Sequence, residues 1–401
     1  MSSFPEQTTS ERVVRDTISV QPVSQATSRV RLFFLDHLRA ALTILVVLHH
    51  LAVIYGAVTV FYYVESPGAG DTLAGGVLTA FVLINQSYFM GLFFLISGYF
   101  TPGSFDRKGP GAFFKDRLLR LGIPLVVYVL VLSPIASISP YLSPTPADVF
   151  HVMPPFTWQK FPLALGVGPL WFAEMLLFFG LGYVIWRQAR RARGNSAGRA
   201  FSPPSYLAVG LFILVLAALS FLMRTMVPIG MSIPILGFPT LAYLPQYLSF
   251  FILGIICFRR NWFQTIPGSM GTVGFVVALA ATIVLVPLAL SAGEAFLGHG
   301  TVQSAAYALW DSTFSVGICL ALLTFFRRFF NRQTHFGNSL SQQAFTVYII
   351  HIPVIVLLAL ALRGVHLEAL LKFALAALIG VPLCFALAFL VRKIPFVSRI
   401  L

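Results

Sequence analysis

The sequence predicts an all-α fold, a polytopic membrane helix bundle of about ten transmembrane helices with both termini in the cytoplasm. Three observations predict it. Of the 401 residues, 58% are apolar and only 10% are charged, which is far from the composition of a soluble globular domain. Apolar stretches near the 20 residues that cross a bilayer recur along the chain. Positively charged residues then alternate between the two sides of these stretches.

The chain divides into a polar beginning and a long apolar remainder. Residues 1–30 are polar, lack the apolar region of a signal peptide and predict a disordered cytoplasmic tail. Residues 31–401 predict one transmembrane domain, which leaves no room for a separate soluble catalytic domain. The predicted spans are 38–62, 75–100, 121–142, 169–186, 205–227, 241–258, 270–291, 303–326, 343–362 and 368–391.

The charge distribution sets the predicted orientation. One side of the spans carries 23 of the 27 Lys and Arg residues, and the positive-inside bias places that side in the cytoplasm. The net charge of +14 is therefore explained by topology and contact with anionic membrane lipid. Nucleic-acid binding is not expected, because no basic fold module is present. The three cysteines lie scattered in apolar runs and predict neither disulfides nor a metal site.

The first span carries the most informative residues. Arg39 and His50 are eleven residues apart, so both side chains lie on one helix face, about 16 Å apart along the axis. Asp36 falls within about 40° of the same face, whereas His49 points about 100° away. Ionisable groups are costly in lipid and usually serve function. The histidines could be general bases, proton-relay groups or satisfied interior residues; metal binding is the weakest alternative, because the sequence supplies no ligand set nearby.

Two further motifs lie near the cytoplasmic side. In FFLISGYF, residues 93–100, Ser97 and the following glycine allow close approach of either another helix or a substrate. In KDRLLRLGIP, residues 115–124, Arg117 and Arg120 could anchor the helix at the lipid surface or bind the phosphates of a cytosolic cofactor.

Polar residues also occur in later spans. Trp171 and Glu174 share one face of the fourth span, where an embedded glutamate suggests a role in the site or a structural ion pair. Tyr348 and His351 share a face of the ninth span, and proton relay, binding and packing all remain open for them. Arg224 lies near an outer helix end, where we expect it to snorkel to the interface.

These motifs together resemble the acyltransferase family 3 of integral membrane proteins, over about residues 33–392. The matching segments are LDHLRAALTILVVLHH, FFLISGYF, KDRLLRLGIP, GPLWF and YIIHIP. Within the family, the chain is most similar to the branch that includes glucan-modifying succinyltransferases.

The resemblance implies transfer of an acyl group from cytosolic acyl-CoA, with acetyl-CoA or succinyl-CoA expected, to a hydroxyl of a carbohydrate or similar acceptor, without a metal. It implies that His50 is the catalytic histidine and Arg39 its partner. An imidazole is well suited to act as the base that takes the hydroxyl proton. Direct transfer of the acyl group and transfer through a transient acyl-enzyme both remain open. We expect the catalytic residues to be His50, Arg39, Asp36 and Glu174. We expect the substrate-binding residues to be His49, Ser97, Arg117, Arg120, Trp171, Tyr348 and His351.

The expected setting is the bacterial cytoplasmic (inner) membrane, with membrane lipid around the protein and a homo-oligomer left open. Any extracytoplasmic partner that passes the acyl group onward is expected to be a separate protein. The alternative function is a proton-coupled transporter or flippase for a sugar or lipid, which would use the same intramembrane groups as a relay. A non-enzymatic scaffold in an envelope-polymer assembly is a third interpretation.

Overall fold

The computed structural model describes residues 32–56, 58, 61–65, 67, 71–137, 165–191, 202–231 and 241–400, which are mostly helical and contain no strand. The predicted tail, residues 1–30, lies outside the described residues. Ten described helices are long and apolar enough to cross a membrane, which confirms the predicted all-α polytopic bundle. In chain order these first to tenth spans are Phe33–Gly56, Thr72–Lys108, Pro110–Ala136, Gly168–Arg190, Tyr206–Met226, Leu241–Arg260, Gly268–Leu290, Val302–Phe329, Gly337–Ala361 and Ala369–Arg392.

Some helices begin or end at residues other than the predicted ones, because the apolar stretch and the helix do not have the same ends. The first helix begins at Phe33 and ends at Gly56, so Arg39 lies in its second turn. The described residues 61–65 lie back against the end of this helix, with the Glu65 amide donating to the Ile54 carbonyl at 2.8 Å. The second helix continues to Lys108, well beyond the predicted residue 100.

The third span is interrupted by two π-helical turns, Leu118–Gly122 and Tyr128–Leu132. Each turn is followed by a proline, Pro124 or Pro134. Proline lacks the amide hydrogen that an α-helix needs and clashes with the carbonyl four residues earlier, so a locally wider turn accommodates it. The first of these turns includes Arg120 and so determines where that side chain lies.

The first span lies at the centre of the bundle. Its apolar window is 67% buried, compared with 11% for the seventh span. It shares one apolar cluster with the ninth and tenth spans, which includes Val47, Leu51, Val356 and Ala376. Large apolar side chains such as Ile283 are exposed on the outside, as expected of helices that face lipid. Ionisable groups of the first span are therefore surrounded by protein rather than lipid.

The basic helix ends meet in space, as the alternation of charge predicts. Asp106 at the end of the second span forms ion pairs with Arg187 of the fourth span, at 3.2 Å, and Arg259 of the sixth, at 2.7 Å. We call this the basic end of the bundle. At the opposite end Lys372 pairs with Glu65 at 2.5 Å.

Arg224 does not behave as expected. Its side chain is fully buried, and its guanidinium pairs with Asp311 of the eighth span at 2.6 Å. The guanidinium also lies over the rings of Tyr243 and Tyr307, at 4.8 and 5.2 Å from their centroids. The prediction that Arg224 snorkels is therefore wrong, because a carboxylate and two aromatic faces inside the bundle provide the charge with partners.

Candidate active site

A cavity of about 480 Å³ opens at the basic end and extends into the bundle. It lies between the first, second, third, fourth and ninth spans and contains five of the predicted site residues. These are Arg39, Ser97, Arg117, Arg120 and Tyr348. These five residues come from four different helices, so their meeting in one cavity depends on how those helices pack.

The mouth of the cavity is strongly cationic. Its cationic lining residues are Arg39, Arg107, Lys108, Arg117 and Arg120, with Asp116 as the acidic one. Asp116 accepts from Lys108 at 2.8 Å and from Arg120 at 3.2 Å, so it holds two cations side by side. A rim of this composition attracts anions, and phosphate groups in particular.

Arg117 and Arg120 differ in how firmly they are held. The Arg117 guanidinium donates to the Thr101 hydroxyl at 3.0 Å and lies 5.3 Å from the centroid of the Phe113 ring. The Arg120 side chain is 57% exposed and bonds only to Asp116 among the described residues. Arg117 is therefore pre-organised toward the cavity, whereas Arg120 is a solvated charge at its rim.

The two residues of the Ser-Gly pair lie in different surroundings. Ser97 lines the cavity. A Cβ atom at Gly98 would collide with the backbone of Phe251, and one at Gly254 would collide with the backbone of Leu95. Gly98 thus allows the second and sixth spans to pack in close contact, while the neighbouring serine faces the space where a ligand would lie.

Tyr348 lies at the inner end of the cavity. Its hydroxyl donates to the carbonyl of Pro169, in the turn that opens the fourth span. Its ring packs against that of His351, with centroids 6.1 Å apart and planes at 28°. One side of the ring therefore borders the cavity, and the other meets the histidine pair described next.

His50 and His351 contact each other directly, although 301 residues separate them. His50 Nδ1 lies 3.2 Å from His351 Nε2 and 2.9 Å from the Val46 carbonyl. His351 Nδ1 lies 2.7 Å from the Tyr348 carbonyl, and the His351 side chain is completely buried. The other face of His50 stacks on Phe61, with ring centroids 5.4 Å apart. We call His50 and His351 the histidine pair.

Other predicted site residues lie elsewhere. His49 is buried against Phe89, with ring centroids 4.9 Å apart, and its Nδ1 has no hydrogen-bond partner among the described residues. Trp171 packs on Tyr247 at 5.4 Å. Asp36 and Glu174 do not line the described cavity, and one Glu174 carboxylate oxygen is buried without a hydrogen-bond partner in the described chain. The described residues contain no group of three or more His, Cys, Asp or Glu able to hold a metal ion.

Comparison with known proteins decides what kind of protein contains this arrangement. The sequence model of a family described as an acyltransferase domain matches residues 32–392, nearly the whole chain. The chain belongs to acyltransferase family 3. It is also 26% identical, over 341 residues, to glucans biosynthesis protein C of Salmonella heidelberg (strain SL476) and of Salmonella typhi. These alignments cover 80% of this chain and 82% of each relative. No solved structure matches the chain.

Membership of acyltransferase family 3 establishes that the protein is an integral membrane acyltransferase. The histidine pair and the cavity's lining residues, except Ile400, lie within the 32–392 region that the family match covers. The transporter or flippase alternative is not favoured, since the family match is to an acyltransferase domain.

Two residues beside the cavity or the histidine pair were not anticipated from the sequence. Thr43, one turn beyond Arg39, lines the cavity and donates to the Arg39 carbonyl at 2.9 Å. Its spacing of four residues from Arg39 was the available signal. Phe61 lies in an irregular segment with no periodic pattern, so no signal in the sequence could place it against His50.

Proposed function

We propose that this acyltransferase moves an acyl group from cytosolic acyl-CoA to a hydroxyl group of a carbohydrate acceptor. The observation that supports this most strongly is the cationic cavity that leads from the basic end to Tyr348, with the histidine pair directly behind it. Such a cavity suits a donor that has phosphates at one end and a reactive thioester at the other.

The donor phosphates bind at the rim, where Arg117 is held by Thr101 and where Arg120 and Lys108 flank Asp116. The pantetheine arm extends inward past Ser97 toward Tyr348. In this arrangement Tyr348 separates the cavity from His50, so the thioester reaches His50 when that side chain turns aside. Acetyl-CoA and succinyl-CoA are the first donors to test.

The reaction uses His50 as a general base. His50 takes the proton of the acceptor hydroxyl as its oxygen attacks the thioester carbonyl, so that a C–O bond forms and the C–S bond breaks. The proton then passes from His50 to the departing sulfur, which gives free CoA thiol and an ester. We propose that Arg39, which lines the cavity about 16 Å from His50 along the helix, assists by binding the donor rather than by transferring a proton.

The acceptor is proposed as a glucan or related carbohydrate, because the similar relatives are named for glucan biosynthesis. The bundle lies in the bacterial cytoplasmic membrane with its basic end and both termini inside, as the charge bias favours. Labelling of Gly293→Cys from outside and of Asn331→Cys from inside tests this, since these residues flank the eighth span. The described cysteines Cys257, Cys319 and Cys384 are buried. The reverse labelling pattern would contradict the orientation.

The function itself is tested with purified protein in lipid nanodiscs, a panel of acyl-CoAs and glucan oligosaccharides. We expect acceptor-dependent release of CoA thiol together with a mass increase of the oligosaccharide equal to one acyl group. Boiled protein and each substrate alone serve as controls. Absence of thiol release with every donor, under conditions where the protein is folded and binds acyl-CoA, would contradict the proposal.

A further inference from the structure

We propose that His351 is a positioning residue, which together with the Val46 carbonyl holds His50 in the tautomer with hydrogen on Nδ1 and thereby leaves Nε2 as the basic nitrogen. This inference rests on the proposed function of His50. It assigns His351 to the orientation of the base rather than to the binding of a substrate.

The hydrogen-bond partners fix the protons. A backbone carbonyl only accepts, so His50 Nδ1, 2.9 Å from the Val46 carbonyl, carries a hydrogen. His351 Nδ1, 2.7 Å from the Tyr348 carbonyl, carries one for the same reason. A neutral imidazole has one N–H, so Nε2 of His351 presents a lone pair. At 3.2 Å it accepts from His50 Nδ1, which shares its hydrogen between two acceptors.

The reverse assignment fails on the same contacts. If His351 donated from Nε2 to His50 Nδ1, the His50 lone pair would face the Val46 carbonyl at 2.9 Å. His351 would also need hydrogens on both nitrogens and hence a positive charge, in a side chain with no exposed surface. Burial of a charge without a counter-charge is expensive, so the neutral arrangement is the stable one.

The position of His351 is itself fixed. Its ring packs on Tyr348, whose hydroxyl bonds to Pro169 of the fourth span. From there a continuous series of contacts runs through His351 to His50, and Phe61 covers the other face of the His50 ring. His50 Nε2 has no hydrogen-bond partner among the described residues, and the side chain is partly exposed, so this nitrogen can receive a proton.

The contacts of the histidine pair also stabilise His50 while it holds the proton during the transfer. After Nε2 of His50 accepts the hydroxyl proton, the ring is positively charged and its Nδ1 hydrogen still points at the Val46 carbonyl and His351 Nε2. Two acceptors stabilise that charge until the proton moves to the sulfur of CoA. Within the described chain no carboxylate bonds to His50, so a neutral histidine takes the place that an acidic residue often has beside a catalytic histidine.

The test compares two amides that differ by one methylene group. In His351→Gln the amide oxygen reaches the place of Nε2 and can accept from His50. In His351→Asn the amide reaches only the place of Nδ1, where it keeps the bond to the Tyr348 carbonyl, and the His50 Nδ1 hydrogen then has the Val46 carbonyl as its one acceptor among the described residues. We expect kcat of His351→Asn to fall about 100-fold with KM for acyl-CoA unchanged, and His351→Gln to keep kcat within about tenfold of the wild type. His366→Gln, at an exposed site, is the matched control.

Equal kcat values for His351→Gln and His351→Asn, or a change confined to KM, would overturn the proposal. If His50→Ala is inactive while both His351 variants are fully active, the proposed function stands and only the positioning role fails. Nitrogen-15 NMR of histidine-labelled wild-type protein gives a second test, in which His50→Ala serves only to assign the His50 resonance. The resonance that disappears in His50→Ala should be that of an Nδ1-protonated ring, and an Nε2-protonated ring would overturn the proposal.

Discussion

Replacement of Arg117 by Gln tests whether the cavity binds the donor phosphates. Arg117 is held by Thr101 at 3.0 Å and by the Phe113 ring, so little ordering is needed when it meets a phosphate. Hydrogen bonds to charged groups contribute about 1.5 to 3 kcal/mol, which predicts a rise of about 10- to 150-fold in KM for acyl-CoA. Arg120 is 57% exposed, and exposed pairs contribute about 0.2 to 1 kcal/mol. Arg120→Gln should therefore raise KM at most about fivefold.

Initial rates of thiol release at varied acyl-CoA concentration measure both effects, at low and at high salt. The Arg120→Gln effect should shrink as salt screens the charge, while much of the Arg117→Gln effect should remain. Arg190→Gln removes one charge from the same end of the bundle, outside the cavity, and controls for long-range attraction. An unchanged KM in both rim variants, or a loss as large in Arg190→Gln as in Arg117→Gln, would refute binding of the phosphates at this rim.

Two further predictions concern the packing that forms the site. Gly98→Ala should lower the melting temperature and the activity, because the added carbon would collide with the backbone of the sixth span. Gly180→Ala is the control, since a Cβ atom there has no neighbour within 4 Å, and it should be tolerated or slightly stabilising. Thermal unfolding compares the two variants. Asp311→Asn should destabilise by about 3 to 5 kcal/mol, because it leaves Arg224 buried without a counter-charge, and the double variant Arg224→Met/Asp311→Leu should recover much of that loss in the same assay.

Much of the fold follows from the sequence because lipid imposes strong requirements on it. Each span must be helical and apolar for about 20 residues, so hydropathy alone locates all ten spans. The ends were less predictable. Helices such as Thr72–Lys108 continue beyond the hydrocarbon layer, where polar residues sustain them, and hydropathy contains no information on that part. The π turns of the third span likewise depend on prolines whose effect on the helix has several solutions.

The site was predictable in its residue types more than in its contacts. Helix periodicity related Arg39 to His50, and the charge pattern indicated the cationic rim. The sequence could not show that His351 contacts His50, since a contact between residues 301 positions apart depends on how the first and ninth spans pack. Nor could it show that Arg224 and Asp311 find each other, because the sequence places each in its own span without a partner.

The most direct test of the central claim is the rate of acyl transfer by His50→Ala beside His49→Ala, measured as thiol release by folded protein in nanodiscs. The loss of a general base commonly costs about 100- to 10,000-fold, so we expect at least that loss in kcat for His50→Ala. His49 packs against Phe89, and its Nδ1 has no hydrogen-bond partner among the described residues, so His49→Ala should retain clearly more activity. Full activity in His50→Ala, or loss in His49→Ala alone, would contradict the assignment of His50 as the base.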